Sequence, residues 1–209
     1  MIPVTVLAVR YLANASLPFC QALGAPEDNR CLGFLTTDCD DATYIALDAA
    51  TKAADVEVAY GRSFYAGSAN ASTPYAGEVI GILAGRTPGA VKSGMEAALS
   101  ALERTGFEET GGIPYLAHTV ASAGSYLAKE AGIPKGSALA YLIAPPLESM
   151  YALDAALKAA DVTLCKLYAP PSETNFGGAL LTGTQSACAA ACEAFADAVA
   201  SVAQQPIEH

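Results

Sequence analysis

Three carboxylates are the residues of this chain best placed to do chemistry: Asp40, Asp41 and Glu78. Two opposite charges 4 Å apart gain about 1 kcal/mol in water and about 4 kcal/mol at an effective dielectric constant of 20, so partial burial makes an acidic site effective. If the turn that carries the two aspartates meets the strand that begins at Glu78, the three carboxylates form a pocket suited to an ammonium group. The alternative is that the aspartates only cap a helix and that Glu78 is a solvated edge residue.

The chain is an internal duplication, and the repeat isolates these acids. Residues 46–56 read Ala-Leu-Asp-Ala-Ala-Thr-Lys-Ala-Ala-Asp-Val and return at 152–162 with one change, Thr51 to Leu157. The copies lie 106 residues apart (152 minus 46) in a chain of 209, which predicts two related halves. The counterparts of the three acids in the second half are apolar: Pro146, Leu147 and Phe176. A duplicated fold needs the residues that both copies share, so the unshared acids are candidates for recognition.

The repeated stretch is predicted to be a helix. Its alanines recur at helical spacing on one face, whereas the other face carries polar residues, namely Asp48, Thr51, Lys52 and Asp55. Asp48 and Lys52 form an i,i+4 ion pair, which stabilises a helix by roughly a few tenths of a kcal/mol. Asp40, Asp41 and Thr43 precede this stretch and are expected to supply N-cap oxygens.

The remaining elements follow the same order in both halves. In the first half we predict strands at 3–11, 31–37, 56–60 and 78–84, and helices at 19–23, 46–55 and 88–104, the last with Thr87 as N-cap. In the second half we predict strands at 115–121, 138–143 and 178–181, and helices at 126–132, 147–162 and 185–203, the last opened by Thr184.

Composition restricts the class of protein. The chain is 53% hydrophobic and 15% charged, enough for two cores of roughly 100 residues each. A net charge of -10 argues against nucleic acid and favours a cationic small molecule. The apolar run at residues 2–9 ends at Arg10 without a basic leader, so neither a signal peptide nor a membrane span is expected, and the cytosol is the default.

Enzyme chemistry has little support. The sequence contains no histidine-paired nucleophile, phosphate-binding loop or metal-ligand cluster, and His118 is expected to be structural. The six cysteines lack paired spacing and are expected to be reduced and mostly buried. Cys188 and Cys192, one helical turn apart, leave open a metal site, but no further ligands accompany them.

A long loop distinguishes the first half. Gly85 and Gly183 occupy equivalent turns 98 residues apart, so the first half has eight extra residues (106 minus 98) between the repeated helix and the late strand. They fall within the loop at 62–76, in the stretch from Tyr65 to Tyr75, whose residues are small and polar with aromatic ends. This composition is typical of a mobile surface loop, although a passive connector is an alternative of similar weight.

Several motifs resemble the bacterial microcompartment shell domain. The first group is Leu32-Gly33-x-x-x-Thr37, Gly77-Glu78-Val79 and Gly85-x-x-x-x-Ala90-Val91. A second group resembles the tandem-domain shell proteins of ethanolamine-utilisation compartments: Asp38-x-Asp40-Asp41-x-Thr43-Tyr44-Ile45, Tyr60-Gly61-Arg62-Ser63, Ala144-Pro145-Pro146-Leu147-Glu148 and Pro170-Pro171-Ser172-Glu173-Thr174-Asn175. The resemblance covers nearly the whole chain.

This resemblance implies an α/β (α+β) fold of two circularly permuted shell domains, at 1–108 and 109–209, each a small antiparallel sheet flanked by helices. It implies a homotrimer that forms a pseudohexagonal tile, packs edge to edge with other shell proteins, and has a central pore that loops open and close. The resemblance implies that the protein requires no cofactor. Cobalamin is a candidate ligand, and metal-dependent opening is associated with the family. Neither nucleic acid nor a lipid membrane is an expected partner.

The resemblance also assigns residues. It implies ethanolamine binding by Asp40, Asp41 and Glu78 together with Phe107. It places two loops at the pore, with Gly67 and Gly177-Gly178 providing backbone freedom; their residues are Tyr65, Gly67, Ser68, Asn70, Tyr75, Ser172, Glu173, Thr174 and Asn175. The alternative function is a soluble small-molecule sensor of ferredoxin-like build, in which the acidic pocket would signal instead of guarding a passage.

Overall fold

A computed structural model describes residues 1–64, 79–170 and 175–207. The chain forms two compact units. The N-terminal unit comprises Pro3–Gly106 and Gly124–Leu127, and the C-terminal unit comprises Met1–Ile2, Phe107–Ala123 and Ala128–His209. The predicted repeat limits, 1–108 and 109–209, stay a prediction, because a compact unit does not define where a duplicated sequence begins and ends.

The N-terminal unit contains an antiparallel sheet with two helices on one face. Its elements are β1 (Val6–Leu12), α1 (Leu17–Ala22), β2 (Cys31–Thr37), α2 (Asp40–Ala53), β3 (Val56–Ser63), β4 (Val79–Gly85) and α3 (Pro88–Leu102). The strand order is β1-β2-β4-β3. Leu35 and Leu83 of the sheet pack with Leu47 of α2 and Met95 of α3 in the core. A smaller cluster joins Cys20 of α1 with Leu32 and Ile82.

The C-terminal elements repeat this arrangement. They are β5 (Glu108–Thr110), β6 (Ile113–Val120), α4 (Ser125–Ala131), β7 (Ala138–Ala144), α5 (Pro146–Ala159), β8 (Val162–Tyr168), β9 (Gly177–Gly183) and α6 (Gln185–Gln204). The strand order is β5-β6-β7-β9-β8, with every pair antiparallel. The core lies between this sheet and two helices, and α6 buries mostly small side chains there: Cys188, Ala191, Cys192, Phe195, Ala198 and Val199.

The predicted fold class is confirmed: two sheets of antiparallel strands are flanked by helices. The predicted caps of the two late helices are also confirmed, because Thr87 Oγ1 accepts from Ala90 N and Thr184 Oγ1 accepts from Ala187 N, each at 3.1 Å. The predicted helix at 147–162 is too long, since α5 ends at Ala159 and Val162 begins β8. By length and composition α6 is apolar enough to cross a membrane, but its buried face belongs to the core.

Asp48 lies on the polar side of the repeated helix, as its spacing predicts, but it is buried. Its side chain is 0% exposed. The carboxylate accepts from Gly124 N at 2.8 Å and from Leu127 N at 2.9 Å, and Lys52 Nζ lies 3.1 Å away. Thr51 adds a fourth contact, because its Oγ1 accepts from Ser125 N at 3.0 Å. Helical periodicity could not show this, since the partner segment lies more than 70 residues further along the chain.

The equivalent positions of α5 are arranged differently. Asp154 pairs with Lys158 Nζ at 2.5 Å, as the i,i+4 spacing predicts, but its side chain is 65% exposed. Leu157, which replaces Thr51, is 37% exposed. The one substitution in the repeated stretch therefore falls at a position that contacts another segment in the first copy and solvent in the second.

Asp48→Asn should destabilise the chain by about 2 kcal/mol. The amide keeps one acceptor oxygen, but its NH2 group faces a backbone N–H, and Lys52 loses its buried counter-charge. Urea unfolding at fixed protein concentration measures this loss. The control is Asp55→Asn, an exposed acid of the same repeat, which should stay within about 0.5 kcal/mol of the parent. Equal effects of the two substitutions would contradict a special role for Asp48.

Candidate functional site

Asp40 and Asp41 form the first turn of α2, but neither is its N-cap. The N-cap residue is Cys39, whose side chain makes no capping hydrogen bond. The predicted N-cap oxygens are therefore wrong for Asp40, Asp41 and Thr43. Asp40 Oδ1 accepts from Asp41 N at 2.9 Å, whereas Thr43 Oγ1 donates to Cys39 O at 2.8 Å. Two acids in a first helical turn are favoured by the helix dipole.

Both carboxylates are buried, each residue being 7% exposed. Asp40 forms a side-chain hydrogen bond with Ser63, which ends β3. Ser63 Oγ in turn lies 2.5 Å from the hydroxyl of Tyr44, one turn along α2. The hydroxyls of Ser63 and Tyr44 thus continue a polar chain from the acid pair to the end of the sheet.

Burial raises the pKa of the Asp40 carboxyl above its ordinary value. Hydrogen bonds from Ser63, from the backbone and with Asp41 lower this pKa, but burial is the largest cause. A carboxyl that has lost hydration gains more from a nearby cation than one in water does. The pair is therefore suited electrostatically to a small cation.

The pairing of β4 in the sheet gives the position of Val79, the residue that follows the third acid, Glu78, in the sequence. Val79, the first residue of β4, pairs with Thr37 on one side and with Ser63 on the other. The beginning of β4 thus lies at the same end of the sheet as the last residues of β2 and β3. The chain enters α2 shortly after β2 ends. Glu78 immediately precedes Val79 but lies outside the described residues, so its role stays a prediction.

Phe107 belongs to the C-terminal unit. Its ring lies 5.7 Å from that of Phe176, tilted by 57°, and its carbonyl oxygen accepts from Ile2 N at 2.5 Å. In the duplication, Phe176 aligns with Glu78. Where the first half has an acid, the second half therefore has an aromatic residue that contacts Phe107. Participation of Phe107 in ligand binding stays a prediction.

Most predicted loop residues lie outside the described residues: Tyr65, Gly67, Ser68, Asn70, Tyr75, Ser172, Glu173 and Thr174. Asn175 is described and has a φ of 64°, the left-handed conformation in which asparagine is enriched. The expectation that Gly177 and Gly178 give a loop freedom is wrong, because both are buried in β9. A Cβ at Gly177 would lie 2.7 Å from Ser149 Oγ, so this glycine permits close packing.

Comparison with known proteins identifies the family. A BMC domain model matches residues 31–114. The chain is 58% identical over 206 residues to the bacterial microcompartment shell protein EutL of Clostridium perfringens, covering 97% of this chain and 95% of that protein. It is 48% identical over 208 residues to EutL of Escherichia coli K12, covering 98% and 95%.

The chain belongs to the EutL family of bacterial microcompartment shell proteins. A crystal structure of the ethanolamine utilization protein EutL from Leptotrichia buccalis agrees, with a TM-score of 0.95 and 58% identity over 100% of this chain and 98% of that one. EutL proteins are structural components of a shell in the cytoplasm, so the predicted location and the prediction that the chain is no enzyme are confirmed. Family membership favours the shell role over the sensor alternative.

Two further polar residues, Tyr44 and Ser63, belong to the candidate acidic site but are not predicted from the sequence. The offset of 106 aligns Tyr44 with Met150 and Ser63 with Ala169, so both hydroxyls are, like the acids, confined to the first copy. Comparing the halves for hydroxyls as well as for charges would have found them. Nothing in the sequence shows that the two hydroxyls meet, because that contact depends on where β3 ends beside α2.

Four of the six cysteines are core residues. Cys20, Cys31, Cys188 and Cys192 are buried and unbridged, as predicted. Burial raises the pKa of Cys192 to about 11, and Thr119 Oγ1 lies 3.4 Å from its sulfur. Such a thiol stays protonated at neutral pH and is a poor metal ligand. Within the described ranges, no cluster of three or more His, Cys, Asp or Glu side chains could hold a metal ion.

The stability of the protein should depend on pH through Asp40. Because burial raises its folded pKa, ionisation of Asp40 costs stability as pH rises from its ordinary value of 3.8 through the folded value. Asp40→Asn removes this loss, so its free energy of unfolding relative to the parent should increase as pH rises above the ordinary value of 3.8. Urea unfolding curves at a series of pH values measure the difference.

Asp28→Asn is the control for this titration, because the Asp28 side chain is 78% exposed and loses little hydration on folding. Its free energy of unfolding should stay within about 0.5 kcal/mol of the parent's, as is usual for an exposed side chain. An Asp40→Asn variant whose free energy of unfolding is equally unchanged would contradict the effect of burial on Asp40.

Proposed function

We propose that the chain forms a homotrimeric, pseudohexagonal shell tile that binds ethanolamine at the acidic site of the N-terminal unit and controls passage through a central pore. The observation that carries this proposal is the full-length similarity to EutL shell proteins. The name of the L. buccalis relative associates it with ethanolamine utilisation. Tiles of this kind pack edge to edge with other shell proteins to enclose a compartment.

The acidic site suits ethanolamine because the ligand combines an ammonium group with a hydroxyl. Asp40 and Asp41 supply buried negative charge at the ammonium group, and Glu78 supplies a third carboxylate beside Val79. The hydroxyls of Ser63 and Tyr44 are partners for the ligand hydroxyl. Phe107 is included as a binding residue on the resemblance alone. The buried acids and the pairing of Val79 with Ser63 and Thr37 support this arrangement.

We propose that the two pore loops open and close the pore. The first of these loops begins at Tyr65, and the second ends at Asn175. The support for this gating is the resemblance together with the unequal lengths of the loops in the two halves. Cobalamin is a second candidate ligand of the assembled tile, and metal-dependent opening a candidate property. Adding cobalamin or a divalent metal ion to the binding measurements below tests whether either one binds.

Titration calorimetry tests the ethanolamine site. Asp41→Asn and Glu78→Gln should each weaken ethanolamine binding at least tenfold, because each removes a charge opposite the ammonium group. Binding to the parent should tighten as pH rises through the raised pKa of Asp40, since the ammonium group pairs with the ionised acid. The control is again Asp28→Asn, which should bind like the parent. Unchanged affinity in both site variants would remove the assignment.

Sedimentation equilibrium and negative-stain microscopy test the tile separately. The parent chain should sediment at three times the chain mass, with or without ethanolamine, and should form sheets at high concentration. A chain whose oligomeric state changes with ethanolamine would favour the sensor. A monomer at all concentrations would contradict the shell tile, whatever the calorimetry shows.

A further inference from the structure

A small apolar pocket lies in the N-terminal unit, at the end of the sheet where β2 begins. Its volume is about 160 Å³, and it is bounded by the end of β1, the start of β2 and the first turns of α3. Its wall is mostly aliphatic: Leu12, Ala13, Leu32, Pro88 and Val91. A dry cavity of about 150 Å³ is large enough to hold benzene, so this pocket can accept a hydrocarbon of about six carbon atoms.

The interior of the pocket is a poor site for water. Cys31 contributes a thiol to the wall, but its sulfur already lies 2.9 Å from Ala13 O and 3.6 Å from Arg86 O. A buried water molecule needs about two to four polar partners, which this predominantly apolar wall does not offer. The interior therefore favours the apolar part of a ligand over water.

Polar side chains stand at the opening of the pocket, its mouth. Tyr11 and Lys92 line the pocket and are both exposed. Lys92 Nζ lies 3.9 Å from Glu96 Oε1. Burial raises the pKa of the Tyr11 hydroxyl, and the negative charge of Glu96 raises it further, so this carboxylate lies near the hydroxyl. The mouth thus combines an ammonium group, a carboxylate and a phenol.

Comparison of the two halves shows that Tyr11 belongs to the first copy alone. Tyr11 pairs with Gly33 in one sheet, and its counterpart Thr119 pairs with Ala140 in the other. The glycine also leaves space, because a Cβ at Gly33 would lie 2.8 Å from Val91 Cγ1 and 3.7 Å from Tyr11 Cδ1. In the second half the methyl group of Ala140 takes the equivalent position, so the two copies differ where the pocket lies.

Lys92 is likewise confined to the first copy. The helix caps Thr87 and Thr184 align α3 with α6 at an offset of 97 (184 minus 87), and this offset places Ala189 opposite Lys92. A duplicated fold needs the residues that both copies share, so the two unshared side chains at the mouth are candidates for recognition, as the unshared acids are at the other site.

The charges at the mouth favour an uncharged ligand. A ligand carboxylate would meet Glu96 as well as Lys92, and a ligand ammonium group would meet Lys92 as well as Glu96, so attraction and repulsion offset each other. A hydroxyl has no such conflict, because it can accept a hydrogen bond from the ammonium group and donate one to the carboxylate.

We propose that this pocket binds a small uncharged alcohol, with its hydrocarbon part among the aliphatic side chains and its hydroxyl at the mouth beside Lys92 and Glu96. The site is separate from the acid pair. Cys31 begins β2 and Asp40 follows its end, and the seven residues of this strand span roughly 20 Å. The proposal therefore does not depend on ethanolamine binding.

Methyl NMR of the assembled protein tests the location. Phenol, the probe, should shift the methyl signals of Leu32 and Val91 in a saturable manner and leave unchanged those of Leu153 and Val199, which are buried in the C-terminal unit. Benzene lacks the hydroxyl and benzoate is charged, so each should bind roughly fivefold more weakly. Unshifted Leu32 and Val91 signals would overturn the site. Equal affinities for phenol and benzoate would overturn the preference for an uncharged hydroxyl.

The double substitution Tyr11→Thr, Lys92→Ala tests the mouth, because it introduces the residues of the second half at two exposed positions. It should weaken phenol binding roughly fivefold while ethanolamine binding stays like the parent's. Lys135→Ala, at an exposed lysine outside the pocket, is the control and should bind phenol like the parent. Unchanged phenol affinity in the double variant would overturn the role of the mouth, and displacement of phenol by ethanolamine would overturn the separation of the sites. A parent that binds phenol but not ethanolamine would contradict only the acidic site.

Discussion

The buried carboxylate of Asp48 is the interaction on which much of the N-terminal unit depends. It accepts hydrogen bonds from two backbone groups of a segment that follows it by 76 and 79 residues, and a lysine of its own helix balances its charge. A buried carboxylate without these partners would cost several kcal/mol. The segment Gly124–Leu127 is therefore held on α2, and the start of α4 is fixed with it.

Asp40 and Asp41, in the first turn of α2, are in a different electrostatic environment from Asp48. Asp48 is fully hydrogen-bonded and paired with Lys52, whereas Asp40 has hydrogen bonds from Ser63 and from the backbone that lower its pKa less than burial raises it. One helix thus carries a neutralised structural acid in its middle and acids suited to a cation at its beginning. Position along the helix separates the two roles, because the first turn lies beside Ser63 at the end of β3, whereas Asp48 contacts the segment Gly124–Leu127.

The fold could be predicted from the sequence because the helix caps and the strand patterns indicate the same elements that the structure contains. Thr87 and Thr184 cap helices as predicted, and β2 has the predicted limits. Periodicity placed Asp48 on the polar side of its helix but could not show the remote segment that buries it. For the site, the duplication identified Asp40 and Asp41 because their counterparts are apolar. It could not identify the hydroxyls of Ser63 and Tyr44, which become partners only when β3 ends beside α2.

The small side chains buried by the long helices have a consequence for a protein that builds a wall. Ala42, Ala46 and Ala50 of α2, like Ala191 and Ala198 of α6, are buried against the sheets. Methyl-sized contacts let a helix axis approach its neighbour toward the lower end of the usual range of about 8–10 Å. At these positions the helix can lie closer to the sheet than a leucine side chain would allow. For a solute that diffuses through such a wall, a shorter path means a proportionally higher flux for a given opening.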